Sequence, residues 1–112
     1  MRGMEINSAT KNFVKHTNAW PEDLNEMKTE GVFTIFAYSP ILNFPGSKYQ
    51  GFQDGSLLKV WITGNGLFQE LTEGGWNLGK KNKYLRRCDL RVDEWSDWQE
   101  ILTSDPDPSL TE

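Results

Sequence analysis

The chain has 112 residues and a formal charge of −4, from 12 Lys and Arg against 16 Asp and Glu, and is 12% aromatic with five Trp. That length fits one domain with its own core, no apolar run nears the roughly 18 residues of a membrane span, and Met1-Arg2-Gly3-Met4-Glu5 has no apolar stretch behind it to make a signal peptide. A single Cys, Cys88, and a single His, His16, exclude an intrachain disulfide framework and a Cys/His zinc site, and they leave little from which to build an enzyme.

Residues 1–19 are polar, with Ile6, Phe13 and Val14 as their sizeable hydrophobes, and read as a connector, either a short helix or a shaft junction. Trp20-Pro21-Glu22-Asp23-Leu24-Asn25-Glu26-Met27 predicts one helical turn, since Pro and acids suit a helix start. Gly31 ends it. Val32–Tyr38 is β-branched and aromatic on both faces, the pattern of a strand covered on both sides, inside a sandwich or against another subunit. Ser39 to Gly55 has loop composition and a length at which loops often carry function.

From Leu57 to Thr63 the pattern alternates. Leu58, Val60 and Ile62 point one way, and Lys59, Trp61 and Thr63 the other. Gly64-Asn65-Gly66 predicts a tight turn, so Leu67–Thr72 pairs back as a hairpin until Glu73-Gly74-Gly75 breaks it. Lys83–Leu90 and Asp93–Leu102 read as two further strands, and the two prolines of residues 103–112 make a tail. The expected fold is mainly β: a compact antiparallel sheet or sandwich with one or two short helices, its domain spanning residues 20–102.

Several landmarks then fall in a fixed order. Asp23-Leu24-Asn25 leads to Gly31-Val32-Phe33-Thr34-Ile35, Asn43-Phe44-Pro45 and Leu57-Leu58-Lys59-Val60. Phe68-Gln69-Glu70-Leu71, Tyr84-Leu85-Arg86-Arg87 and Trp95-Ser96-Asp97-Trp98 complete the series. This series resembles the pyocin knob domain of tail fibres from phages, prophages and R-type pyocins, over about residues 20–102. Glu30 stands where that family usually has Pro, and Glu70-Leu71 where it often has Tyr. The resemblance implies a β-rich knob in a trimeric fibre on the virion, outside the particle and facing host glycans. It transfers no binding residues.

Candidate sites come from the residues themselves. Trp76 follows two glycines in a loop, and Tyr49 and Phe52 share the long loop with Asn43. Aromatics interleaved with amides suit stacking on sugars plus fixed hydroxyl partners, and they serve equally as loop anchors. Trp61 beside Lys59 on a polar strand face marks a subunit interface, a core contact or a ligand platform. Lys80, Lys81, Lys83 and Arg87 belong to the most basic stretch, where residues 80–91 hold six cations and one acid, Asp89. That stretch is either a patch for phosphates or uronates or a solvated face. Nucleic acid is disfavoured by the overall acidity. Trp95 and Trp98, three apart in one expected strand, should face opposite sides.

No catalytic motif, metal set or cofactor loop is legible. What the resemblance implies is then a non-catalytic attachment module that binds bacterial surface glycan or anionic cell-wall polymer and self-associates as a homotrimer beside other fibre or baseplate proteins. A structural trimerisation or spacer element without receptor contact is the alternative, and a glycan depolymerase is a third.

Overall fold

The turn at Gly64-Asn65 organises the centre of the molecule. In the computed structural model, which describes residues 16–46, 48–74 and 82–101, Thr63 pairs with Gly66 across this turn. Gly64 takes φ +59°. Glycine at the first central position is what a two-residue hairpin needs, because a side chain resists positive φ there. The flanking strands are long, Ser56–Thr63 (β3) and Gly66–Thr72 (β4), and seven residue pairs hold them in register from Leu57↔Thr72 to Thr63↔Gly66.

The remaining strands add on either side. Thr17–Ala19 (β1), Gly31–Ile35 (β2), Lys83–Asp89 (β5), Glu94–Trp95 (β6) and Gln99–Ile101 (β7) complete one seven-stranded sheet. Its order is β1-β2-β3-β4-β5-β6, with β7 also on the outer edge of β5. Every pairing is antiparallel except β1 with β2. The fold is thus mainly β, as expected, and takes the single-sheet form.

One face of this sheet is covered. Leu58, Val60, Leu67, Leu71, Cys88 and Ile35 project into a core completed by Leu24, Ala37, Ile41 and Phe44. Burying each large aliphatic contributes roughly 1.5–3 kcal/mol. The cover consists of a 3-10 turn, Leu24–Glu26, and the long connection after β2, which holds a four-residue helix, Gln50–Gln53 (α1). Asp23 caps the 3-10 turn by accepting from the Asn25 amide at 2.9 Å. The connection is tied down by hydrogen bonds. The Leu24 amide donates to the Leu42 carbonyl and the Leu42 amide to the Glu22 carbonyl, and buried Gln53 accepts from the Ile41 amide at 2.9 Å. Residues that read as loop therefore form the second layer.

Two expected strands are corrected. Val32–Tyr38 is a strand only to Ile35, where the Ile35 carbonyl accepts from the Gly55 amide as the chain departs. Asp93–Leu102 is not one strand, because residues 96–98 interrupt it. There the Ser96 side chain accepts from the Arg87 amide at 3.0 Å, while the Ser96 amide donates to the Arg87 carbonyl.

Candidate functional site

The interruption at 96–98 decides where the two indoles go. Period-two alternation would split Trp95 and Trp98 between faces, yet both pack against the core. The break resets the alternation, so the expectation of opposite sides is corrected. Both rings meet Arg86, whose guanidinium carbon lies 3.8 Å from the Trp95 ring centre and 4.5 Å from that of Trp98. Arg86 is only 5% exposed. Burial lowers its pKa to about 10, with Asp23 opposing the shift, so it is still a cation at neutral pH.

Arg86 belongs to a polar network through the covered face. Its Nε donates to Gln69 Oε1 at 2.9 Å. Gln69, wholly buried, donates in turn to the carbonyls of Leu24 and Met27 at 2.8 and 3.0 Å. Trp98 Nε1 donates to the Asn43 carbonyl at 2.9 Å, and the Asn43 side chain donates to Asp23 at 2.8 Å. Asn43 takes φ +61°, a conformation Asn adopts more readily than most residues. Residues from the Asp-Leu-Asn, Asn-Phe-Pro, Phe-Gln-Glu-Leu, Tyr-Leu-Arg-Arg and Trp-Ser-Asp-Trp segments thus meet in one cluster. It gives Gln69 and Arg86 Nε their hydrogen-bond partners, while buried Arg86 Nη2 has none among the described residues and rests against the two indoles.

The opposite face of the sheet is the candidate functional surface. Cross-strand pairs place Val32 with Lys59, Trp61 with Phe68, Lys59 with Glu70, Glu70 with Leu85, Phe68 with Arg87 and Thr72 with Lys83 on that side. Among the described residues no second layer packs on it. Trp61 and Phe68 stack with ring centres 5.4 Å apart and planes 14° from parallel. Beside them Glu70 lies 3.8 Å from both Lys59 and Lys83, a loose, half-exposed row of ion pairs. On strands β3 to β5 this face carries three cations, Lys59, Lys83 and Arg87, against two acids, Glu70 and Asp89, and Asp89 is held by Arg91.

Two hollows flank the aromatic pair. One, of about 440 Å³, lies among Val32, Lys59, Trp61 and Glu70. The other, of about 350 Å³, lies among Phe68, Leu85, Arg87, Asp97 and Gln99. A third hollow of about 450 Å³ near the hairpin turn joins Arg87 and Arg91 to Asp89 and Glu94. There Arg91 is held by Asp89 at 2.9 Å, and the charges balance.

Of the residues singled out in the sequence, Trp61, Lys59, Lys83 and Arg87, read separately as interface and anion patch, share this one face. Arg86, counted in the same basic stretch, points to the other side and is buried. Asn43 is exposed but serves the structural network, and Tyr49 is exposed next to α1. Trp76, Lys80 and Lys81 lie outside the described residues, as does the side chain of Phe52. Glu30 immediately precedes β2, and its carboxylate accepts from the Ile62 amide at 2.7 Å, beyond the last pair of β2 with β3.

Two features escaped the sequence reading. The Gln69–Arg86 hub had a signal, a Gln flanked by Leu67 and Leu71 on the buried register of β4. The second is an aromatic row. Trp20 stacks on Phe36, with centres 5.3 Å apart, and on Tyr38 at 6.3 Å. Its residues lie in segments read as helix start and buried strand. Among the described residues no three of His, Cys, Asp and Glu gather as a metal site requires. Compared with family models, curated proteins and solved structures, the chain matches none.

Proposed function

We propose that this chain is the non-catalytic attachment knob of a phage tail fibre or related receptor-binding protein, which holds anionic bacterial surface polymers on the open face of its sheet. The observation that carries this reading is the composition of that face. A stacked Trp61–Phe68 pair stands among Lys59, Lys83 and Arg87, with Glu70 as the acid between them. Cations attract phosphates and uronates over a distance, and flat aromatic surface accepts the apolar faces of sugar rings. The motif order that resembles pyocin knobs supports the same reading.

A second reading has its own observation. Val32, Leu57, Trp61, Phe68 and Leu85 make the face partly apolar, and a face of that kind also suits contact between copies of the chain in a fibre. The structural trimerisation role would then use the same residues.

Retention of the purified chain on intact bacterial cells separates the two. Attachment predicts saturable, salt-sensitive retention that falls at least tenfold in a Lys83→Glu/Arg87→Glu double variant. The spacer role predicts no retention, with stable trimers in sedimentation that Trp61→Ala dissociates. Release of reducing ends from host polysaccharide would sink both in favour of an enzyme.

A further inference from the structure

We infer that the aromatic row Trp20–Phe36–Tyr38, with Tyr49 beside it, is a second carbohydrate contact that stacks on uncharged pyranose residues. The inference rests on the attachment reading above and adds a site to it. It begins with exposure. Tyr38 is 82% exposed, Tyr49 65% and Trp20 50%, whereas most large apolar side chains of the described residues are at least half buried. Three aromatic rings in water at one end of a small domain are a cost to solubility that scattered single hydrophobes are not.

The rings are also held rigidly. Trp20 lies parallel to Phe36 within 25° and to Tyr38 within 15°, and Phe36 is fixed by its amide, which donates to the Ala19 carbonyl at 2.8 Å. Between Phe36 and Tyr38, both backbone groups of Ala37 are taken up by the α1 region. The Ala37 amide donates to Asp54 at 2.9 Å, and its carbonyl accepts from Gln50 Nε2 at 2.6 Å. Gln50 adjoins Tyr49, so the same bond places the Tyr49 backbone near the Phe36–Tyr38 segment that follows β2. Tyr49 lies over Gly51, where an added Cβ would come within 2.6 Å of the ring. Exposed rings held this firmly lose little entropy when something stacks on them.

The surroundings of the rings select the ligand. A protein partner of ordinary size buries about 800 Å² on each side, with a broad apolar centre. The exposed residues flanking these aromatics in the chain are mostly polar, His16, Thr17, Asn18, Glu22, Ser39 and Lys48, with Pro40 and Leu42 the apolar ones. Narrow aromatic surface with a hydroxyl and amide rim fits a ring that is apolar on its faces and polar at its edge, which describes a pyranose. The row has Glu22 near Trp20 and Lys48 next to Tyr49, one charge of each sign, and lacks the cluster of cations around Trp61. It therefore favours neutral sugars, and its binding should resist salt where that of the cationic face does not.

The row also sits apart from Trp61. Gly31 pairs with Val60 and Ile35 with Ser56, so Phe36 and Trp61 mark opposite ends of the β2–β3 ladder. The test uses the full chain and two probes, an uncharged hexasaccharide of β-linked glucose and one of N-acetylglucosamine, read by intrinsic Trp fluorescence and calorimetry at low and high salt. The expected result is saturable binding of at least one probe, changed less than twofold by salt. Trp20→Ala and Tyr38→Ala should weaken it at least tenfold, while Tyr38→Phe leaves it within twofold, each variant melting cooperatively as a folded chain. Equal binding by Trp20→Ala, or no binding of either probe while the chain still adheres to cells, overturns this site and leaves the attachment reading standing. Failure to bind both probes and cells overturns the two together. If Trp20→Ala is poorly folded, Tyr38→Ala and Tyr49→Ala, both at exposed positions, decide the matter.

Discussion

The two faces of this sheet use the same residue types for opposite ends. On the covered face Arg86 lies beneath two indoles with its Nε bonded to Gln69. On the open face Lys59 and Lys83 stand 3.8 Å from Glu70, half in water beside a Trp–Phe stack. A buried cation must have its partners fixed, since losing one leaves an uncompensated charge in a poor solvent. An exposed cation is screened and exchangeable, so it stays available to a polymer. The comparison teaches that aromatic–cation composition alone does not mark a binding site. Burial decides whether it is architecture or contact surface.

The sharpest way to break the comparison is at Gln69. Gln69→Leu keeps the volume but strips partners from the Leu24 and Met27 carbonyls and from Arg86 Nε. The expected loss is on the order of 3 kcal/mol in urea unfolding. A Gln69→Leu/Arg86→Met double variant should recover at least half of it, because the orphaned charge goes as well. Additive losses would mean the network is not a unit.

Trp98→Phe is the next test. It keeps an aromatic ring against the core but removes the donor to the Asn43 carbonyl. A cost of about 1–2 kcal/mol is expected, together with easier proteolysis of the Asn43 loop. On the open face Trp61→Ala should cost less, about 1 kcal/mol for a stacked pair that is partly buried but has no layer packed over it. Its larger effect should be on retention by cells or on self-association. A Trp61→Ala loss matching that of Gln69→Leu would show that the open face is core after all.

Much of this arrangement was legible in the chain. Period-two alternation in β3 gave the two faces correctly, with Leu58 and Val60 inward and Lys59 and Trp61 outward, because a strand in regular pairing has no choice of side. Gly64-Asn65 gave the hairpin register. What was not legible depends on contacts distant in sequence. Nothing local to Ser96 says that it will bond back to Arg87 and break a strand, and that break alone brings Trp95 and Trp98 to one side. Likewise Ile41 and Phe44 look like loop residues until the Ile41 amide finds Gln53. The exposed Trp20–Tyr38 row was hidden for a related reason: the strand that should have buried Tyr38 stops short of it, at Ile35.

The smallest expected effect lies at the rim between the faces, where Lys28 Nζ meets Asp93 Oδ1 at 2.6 Å and joins the end of the 3-10 turn to the β5–β6 turn. The hydrogen bond to Lys28 holds the Asp93 carboxyl below its ordinary 3.8, and the same bond raises Lys28 above 10.5. A depressed acid stabilises the fold above its unfolded pKa and loses that contribution as pH falls through the folded value. A raised base contributes below 10.5 and loses it as pH climbs through its higher folded value. The bridge therefore acts on the plateau between the two limits. Both groups are exposed, so Lys28→Ala should lower the melting temperature only slightly there, and its profile should merge with that of the parent chain in strong acid and strong base. A gap of constant size down to about pH 2, well below the ordinary carboxylate range, would assign the effect to packing of the Lys28 stem instead of charge. In either case the loss should stay below that of Trp98→Phe, since water replaces an exposed ion pair more readily than the bond of an indole packed against the core.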